Sequence, residues 1–176
     1  MGNIFAELQM QSANQLNTIT DARKKMNQLL KLFLEQPDRE LLCDIFARDI
    51  RNLETKTLLD CDSFMINPDE GFSFVPEELQ SETYGMFKGP YCVYEGRYVY
   101  PVKDVHGDVM GWCGYDKFSD VKYLDSLNYG YKAKNASVFG MEKMEEYYHS
   151  GRQVFFTEGI VCTLYARQCG QQALAT

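Results

Sequence analysis

Apolar residues in the first part of the chain recur at roughly helical spacing: Phe5, Leu8, Leu16, Ile19, Met26, Leu29, Leu30 and Phe33. A stripe with that period marks one face of an amphipathic helix. Thr20 or Asp21 is the candidate cap of a helix running to about Glu35. Pro37-Asp38 then punctuates the pattern, and Asp38 is the expected N-cap of a second helix. That helix is expected to bury Leu41, Leu42, Ile45, Phe46 and Ile50. Both stripes read as core rather than as partner-binding surface.

From Asp60 the pattern turns strand-like and irregular through Phe64, Ile66, Pro68 and Gly71. Pro76-Glu-Glu-Leu predicts a helix start, because proline is tolerated in a first turn. Tyr91-Cys-Val-Tyr94 favours strand by composition. Arg97-Tyr-Val-Tyr-Pro-Val-Lys103 and Asp108-Val-Met-Gly-Trp-Cys-Gly114 predict a hairpin joined by Asp104-Val-His-Gly107, a type I turn signature. Pro101 places its strand at an edge or beside a bulge, and His106 falls in the exposed turn. Lys122-Tyr-Leu-Asp-Ser126, an Asn128-Tyr-Gly130 turn and a Lys132–Lys134 segment follow. Residues 138–149 read as helix. Residues 153–157 read as an apolar strand ending in Glu158-Gly159, with a short helix ended by Gly170 and a second strand after it.

Composition sets the class. At 176 residues, with 45% hydrophobic and 24% charged side chains, the chain suits one globular domain or two small ones. No apolar run approaches a membrane span, so no membrane partner is expected and a cytoplasmic location is the default. Six cysteines show no CxxC spacing and lie far from the two histidines, so free, mostly buried thiols are expected and no zinc site. The net charge of −7 argues against a generally basic nucleic-acid binder. Its distribution changes that picture. Residues 1–85 hold 8 basic against 15 acidic side chains, whereas residues 86–135 hold 7 against 6, leaving room for a local basic strip.

The hairpin, the Lys122 segment, the Phe139-Gly140 segment and the Glu158-Gly159 turn occur in one order, and together they resemble the catalytic core of DnaG-type bacterial and phage primases. Arg97-Tyr-Val-Tyr-Pro-Val resembles the family's R-V-x-F-P-I, and Val109-Met-Gly-Trp-Cys-Gly-Tyr115 its V-I-G-F-G-G-R. Lys122-Tyr-Leu-Asp-Ser126 resembles K-Y-L-N-S, and Lys134-Asn-Ala-Ser-Val-Phe-Gly-Met141 resembles K-G-x-x-L-Y-G-L. Phe155-Phe-Thr-Glu-Gly-Ile-Val-Cys162 resembles V-V-E-G-Y-M-D, and Gln172-Ala-Leu-Ala-Thr176 resembles A-V-A-T-L-G. The match covers residues 91–176. It extends more loosely over 40–75, where Phe46-Ala-Arg48-Asp-Ile50 resembles L-x-x-R-G-I.

The resemblance implies an α+β fold. A helical N-terminal region spans 1–58, a mixed β-rich primase subdomain 59–150, and the first βαβ portion of a toprim fold 151–176. It implies synthesis of RNA primers on a single-stranded DNA template from nucleoside triphosphates, with Mg2+ (or Mn2+) held by carboxylates. Glu158 is the matched catalytic and metal-binding glutamate, and Gly159 is expected to let the backbone turn into the following helix. Arg48, Arg97, Lys122 and Lys134 are the matched template- and nucleotide-binding cations. Trp112, Tyr115 and Tyr123 read as packing residues, with base stacking the alternative. A replicative helicase is a further candidate partner.

The chain also departs from that pattern. Cys113-Gly114 stands for a glycine pair, Tyr115 for an arginine and Cys162 for an aspartate. The family's Asp-x-Asp segment falls beyond Thr176. The expectation is therefore an N-terminal half of a split or truncated primase, inactive alone and completed by a second polypeptide. The alternative is a primase-like protein that binds single-stranded DNA or a replication partner without catalysis.

Overall fold

A computed structural model of the chain describes residues 2–50, 52–67, 71–126 and 138–175, with side chains described from residue 16 onward. Three helices come first: α1 (Gly2–Leu34), α2 (Arg39–Asp49) and α3 (Thr55–Leu59). Strands β1 (Phe64–Met65), β2 (Phe87–Lys88), β3 (Tyr91–Cys92), β4 (Tyr98–Lys103), β5 (Val109–Tyr115) and β6 (Tyr123–Asp125) follow. Then come α4 (Met144–Ser150), β7 (Val154–Thr157), α5 (Ile160–Gln168) and β8 (Gln172–Ala175). The Asn128–Gly130 turn and the Lys132–Lys134 segment lie outside the described residues.

The main sheet is antiparallel in the order β1-β4-β5-β6. Side chains of a strand alternate between faces, and here both faces are covered. Val99 and Trp112 join Phe64 and the α1 residues Met26, Leu29, Leu30 and Phe33 in a first core. Tyr98, Tyr100 and Cys113 point the other way, into a second core with Cys43, Phe46, Leu58, Ile160 and Leu164. Helix α1 is fastened to the hairpin by Asn27, whose side chain donates to Asp108 at 2.8 Å and accepts from the Val109 amide at 2.9 Å. The hairpin forms as its turn chemistry predicts. The Gly107 amide donates to the Asp104 carbonyl at 3.0 Å, Gly107 has φ +87°, and the Asp104 carboxylate accepts from the His106 and Asp108 amides. Pro101 lies where β1 no longer covers β4, one residue before a register shift at Val102/Lys103.

Several local expectations are corrected. Helix α1 runs through Thr20 without a break, and the Thr20 hydroxyl donates to the Leu16 carbonyl one turn back instead of capping. Asp38 precedes α2 in a helical backbone conformation and makes no side-chain cap. The buried face of α2 is Cys43, Phe46 and Ala47, with Ile50 buried just beyond its end, whereas Leu41 is 61% and Ile45 48% exposed. Phe46 stacks on Tyr98, and the Tyr98 hydroxyl donates to the Leu42 carbonyl; those contacts fix which face turns inward. Pro76-Glu-Glu-Leu forms only a 3-10 turn over Glu77–Leu79. Residues 138–140 are not helical: Phe139 bridges Ala175 on β8, and Gly140 takes φ +93°. The six thiols are free, four buried and two, Cys162 and Cys169, exposed.

Burial in the second core raises the acid constants of its thiols and phenols. Desolvation pushes Cys61 up to about 12, and desolvation with the neighbouring Asp125 does the same for Cys113. Tyr98 and Tyr100 are raised further by burial. An unfolded thiol ionises near 9.0 and a phenol near 10.0, so the unfolded state loses protons first as pH rises. The stability these groups contribute is full below pH 9.0 and lost as pH climbs toward 12. Thermal melts should give a Tm that is flat from neutral pH to about 9 and falls steadily above it. A Tm that stays level up to about pH 11 contradicts this burial.

Candidate active site

Strand β7 pairs in parallel with β8, and α5 connects them. Open α/β units present their chemistry beyond the carboxyl ends of their strands. Glu158 stands there, directly after β7, and is exposed. Its turn is laced by two hydroxyls that sequence reading missed. Thr157 Oγ1 and Thr163 Oγ1 meet at 2.6 Å, and both lie within hydrogen-bond distance of the Gly159 carbonyl, at 3.1 and 3.3 Å. Each hydroxyl has one proton, so when one bonds its neighbour the other turns to a carbonyl, that of Gly159 or, for Thr157, that of Leu174 at 3.4 Å. Thr163 is fully buried on α5, so the backbone carrying Glu158 is held from beneath.

Helix α5 is itself docked on the N-terminal helices. The Tyr165 hydroxyl donates to the Ile50 carbonyl at 3.2 Å. The Gln168 amide donates to the Asn52 carbonyl at 2.8 Å and accepts from the Glu54 amide at 2.7 Å. Ile160 and Leu164 enter the second core beside Phe46 and Tyr98. Glu158 is thereby fixed relative to β5 and β6. A Cβ built on Gly159 would lie 3.6 Å from the Tyr123 hydroxyl, so the first residue of β6 borders the turn. Tyr123 pairs with Tyr115 across the strands, rings 4.9 Å apart. Partial burial, then the adjacent Tyr115, push the Tyr123 phenol up to about 12, so it stays a neutral donor at neutral pH.

The cations matched by sequence occupy different settings. Lys122 is exposed and immediately precedes Tyr123 in sequence. Arg97 is turned onto the loop between β5 and β6: its Nη1 donates to the Val121 carbonyl at 2.9 Å and its Nη2 to Ser119 Oγ at 3.0 Å. Arg48 is exposed on α2 and pairs with Asp44 one turn earlier. Lys134 lies outside the described residues. Trp112 is core, its indole donating to the Tyr84 carbonyl at 2.8 Å. Gly114 is required by packing, since a Cβ there would sit 2.5 Å from the Tyr94 ring.

Among the described residues no group of three or more His, Cys, Asp or Glu side chains could hold a metal ion. These residues alone do not make a magnesium site; Glu158 offers one carboxylate toward it. A cleft of about 520 Å³ opens at the other end of β7 and β8, lined by Asp60, Lys143, Arg152 and Arg167. It lies at the amino ends of those strands, away from Glu158.

Two glycines near the site differ in what they demand. Gly159 has φ −155° and ψ 155°, extended backbone open to any residue, so the turn does not require glycine as its sequence suggested. Gly140 has φ +93°, and its Cβ would fall 1.9 Å from Arg167 Nη2, whose guanidinium packs over Phe139. Gly159→Ala should keep the wild-type Tm. Gly140→Ala should lose more than the ~1–2 kcal/mol of a left-handed residue alone, because Arg167 must also move. Chemical denaturation of the two variants checks the contrast, and equal stabilities would refute it.

The sequence matches no protein-family model, and no curated protein matches it. Solved structures do match. A DnaG primase catalytic domain bound to ssDNA has a TM-score of 0.67 at 20% identity, over 93% of this chain and 54% of that one. The zinc-binding and RNA polymerase domains of Aquifex aeolicus primase give 0.69 at 19% identity, over 88% and 41%. The RNA polymerase domain of Mycobacterium tuberculosis primase DnaG gives 0.67 at 15% identity, over 89% and 56%. The chain spans about half the length of these structures. Helical start, two-faced antiparallel sheet and closing βαβ unit together give this chain the α+β fold of a DnaG-type primase catalytic core.

Proposed function

We propose that this chain is part of a primase that makes RNA primers on single-stranded DNA. The observation that carries the reading is Glu158, exposed at the carboxyl end of β7 on a hydroxyl-laced turn that Tyr123 of β6 borders. Nucleotidyl transfer asks little covalent chemistry of a protein; it asks for positioning and for neutralisation of phosphate charge. Lys122 suits the second task and the rigid turn the first. Mg2+ or Mn2+, held by Glu158 and further carboxylates, would polarise the phosphate and activate the attacking hydroxyl. Those further carboxylates would come from sequence outside the described residues, in the same chain or in a second polypeptide. Nucleoside triphosphates and a single-stranded template are the proposed substrates, and a replicative helicase a proposed partner.

A second reading is a primase-like protein that binds single-stranded DNA without catalysis. It draws support from Tyr115 and Cys162, which stand where the family pattern has an arginine and an aspartate.

The test supplies the chain together with the sequence that carries the remaining toprim strands, continuous with it or as a second polypeptide. Primer synthesis is then followed with magnesium, triphosphates and a single-stranded template. Glu158→Gln should lower primer yield roughly a hundredfold or more, the scale of losing one charge-stabilising group. Its Tm should not change, because Glu158 is exposed. Undiminished synthesis by the variant removes Glu158 from the mechanism. No synthesis by the wild-type assembly, with template binding intact, selects the second reading.

A further inference from the structure

Arg97 and the loop it holds suggest a different division of labour from the one read in the sequence. The loop from Asp116 to Lys122 is closed by the Asp116 amide donating to the Lys122 carbonyl at 2.9 Å. The Phe118 amide donates to Asp116 Oδ1 at 2.8 Å, and Arg97 adds its two bonds to Ser119 and Val121. Lys117 anchors the near side by donating to the Asp49 carbonyl at 2.8 Å. The loop is thus held by several hydrogen bonds, and Phe118 upon it is 81% exposed. Only the Lys117 ammonium approaches its ring among the described aromatic and cation contacts, 4.6 Å from the centroid.

A solvent-facing aromatic ring on a hydrogen-bonded loop, with a lysine ammonium 4.6 Å from its centroid, matches the chemistry of an unpaired nucleobase with its phosphate. Bases of a single strand stack on such rings whatever their identity, while lysines take the backbone. A protein partner fits less well. In sequence the ring is flanked by Asp116, Lys117, Asp120 and Lys122, and lysine and aspartate are depleted where protein interfaces bury their core. The loop also leads to the proposed reaction centre, since it runs directly into Tyr123, whose hydroxyl borders the Glu158-Gly159 turn.

We infer that the Asp116–Lys122 loop is a base-stacking platform for single-stranded DNA. Phe118 stacks a template base, Lys122 contacts the adjoining phosphate, and Arg97 is a positioning residue that holds the loop. The inference rests on reading Glu158 as part of a primase centre.

The test is fluorescence anisotropy of a labelled oligothymidylate titrated with the full chain. Phe118→Ala should weaken binding roughly tenfold, and Phe118→Trp should restore it. Because stacking releases no counterions, Phe118→Ala should leave the slope of log K against log salt unchanged, whereas Lys122→Ala should reduce it by about 0.7. An abasic oligomer should bind the wild type about as weakly as oligothymidylate binds Phe118→Ala. Arg97→Gln should cost the same as Phe118→Ala, and the double variant no more, a non-additivity that general destabilisation would not produce. Wild-type affinity for Phe118→Ala overturns the platform and leaves the Glu158 reading standing. A wild-type chain that binds no oligothymidylate overturns the platform as well, whereas primer assays on Glu158→Gln still judge the active-site reading separately.

Discussion

A sheet with an apolar core against each face tolerates only one register, since a slip of one residue exchanges its two sets of side chains. Strands β4 and β5 live under that constraint. Tyr98, Tyr100 and Cys113 fill one side, and Val99 and Trp112 the other. Every element that approaches the candidate site is referred to this wall. Helix α1 grips its hairpin end through Asn27, α2 lays Phe46 on Tyr98, and β6 extends it at Tyr123.

The βαβ unit gains its position from the same second core. Its own two strands are short; β8 is buried along its length, whereas Phe155 and Phe156 on β7 are exposed, so β7 adds little apolar burial. What steadies it is docking: Ile160 and Leu164 into the core, Tyr165 and Gln168 onto the chain around Ile50–Glu54, and Phe139 bridging β8. The role proposed for Glu158 would require its carboxylate to be placed to within a fraction of an ångström of its partners. Here that precision is transmitted from the sheet, through α5 and the Thr157–Thr163 contact, to the turn that carries Glu158.

What could be read in the sequence was local. The hairpin announced itself because Asp104 and Gly107 satisfy their turn from within four residues. The β7–α5–β8 unit did so through an apolar strand, a break and a glycine-ended helix; Gly170 duly sits at φ +75° after α5. Glu158 followed from that unit. What depended on tertiary partners was not legible. Leu41 and Ile45 fit a helical stripe as well as Cys43 and Ala47 do, and only the stacking of Phe46 on Tyr98 chooses between the faces. Arg97 suits a phosphate and a carbonyl equally, so its turn toward Val121 and Ser119 could not be foreseen. Gly159 and Gly140 look alike in sequence, yet only Gly140 faces a guanidinium where its side chain would be.

The two-core account makes both sides of the sheet one cooperative unit. Trp112, the sole tryptophan, reports the first core, and the thiols of Cys61 and Cys113 report the second. The most direct measurement is a denaturant titration that follows tryptophan fluorescence and the labelling of Cys61 and Cys113, each read at its own site because Cys162 and Cys169 are exposed, on the same samples. The account predicts one shared midpoint for the two signals. Thiols that become reactive at lower denaturant than the tryptophan would mean that the second core, with Glu158, opens independently, and would contradict it.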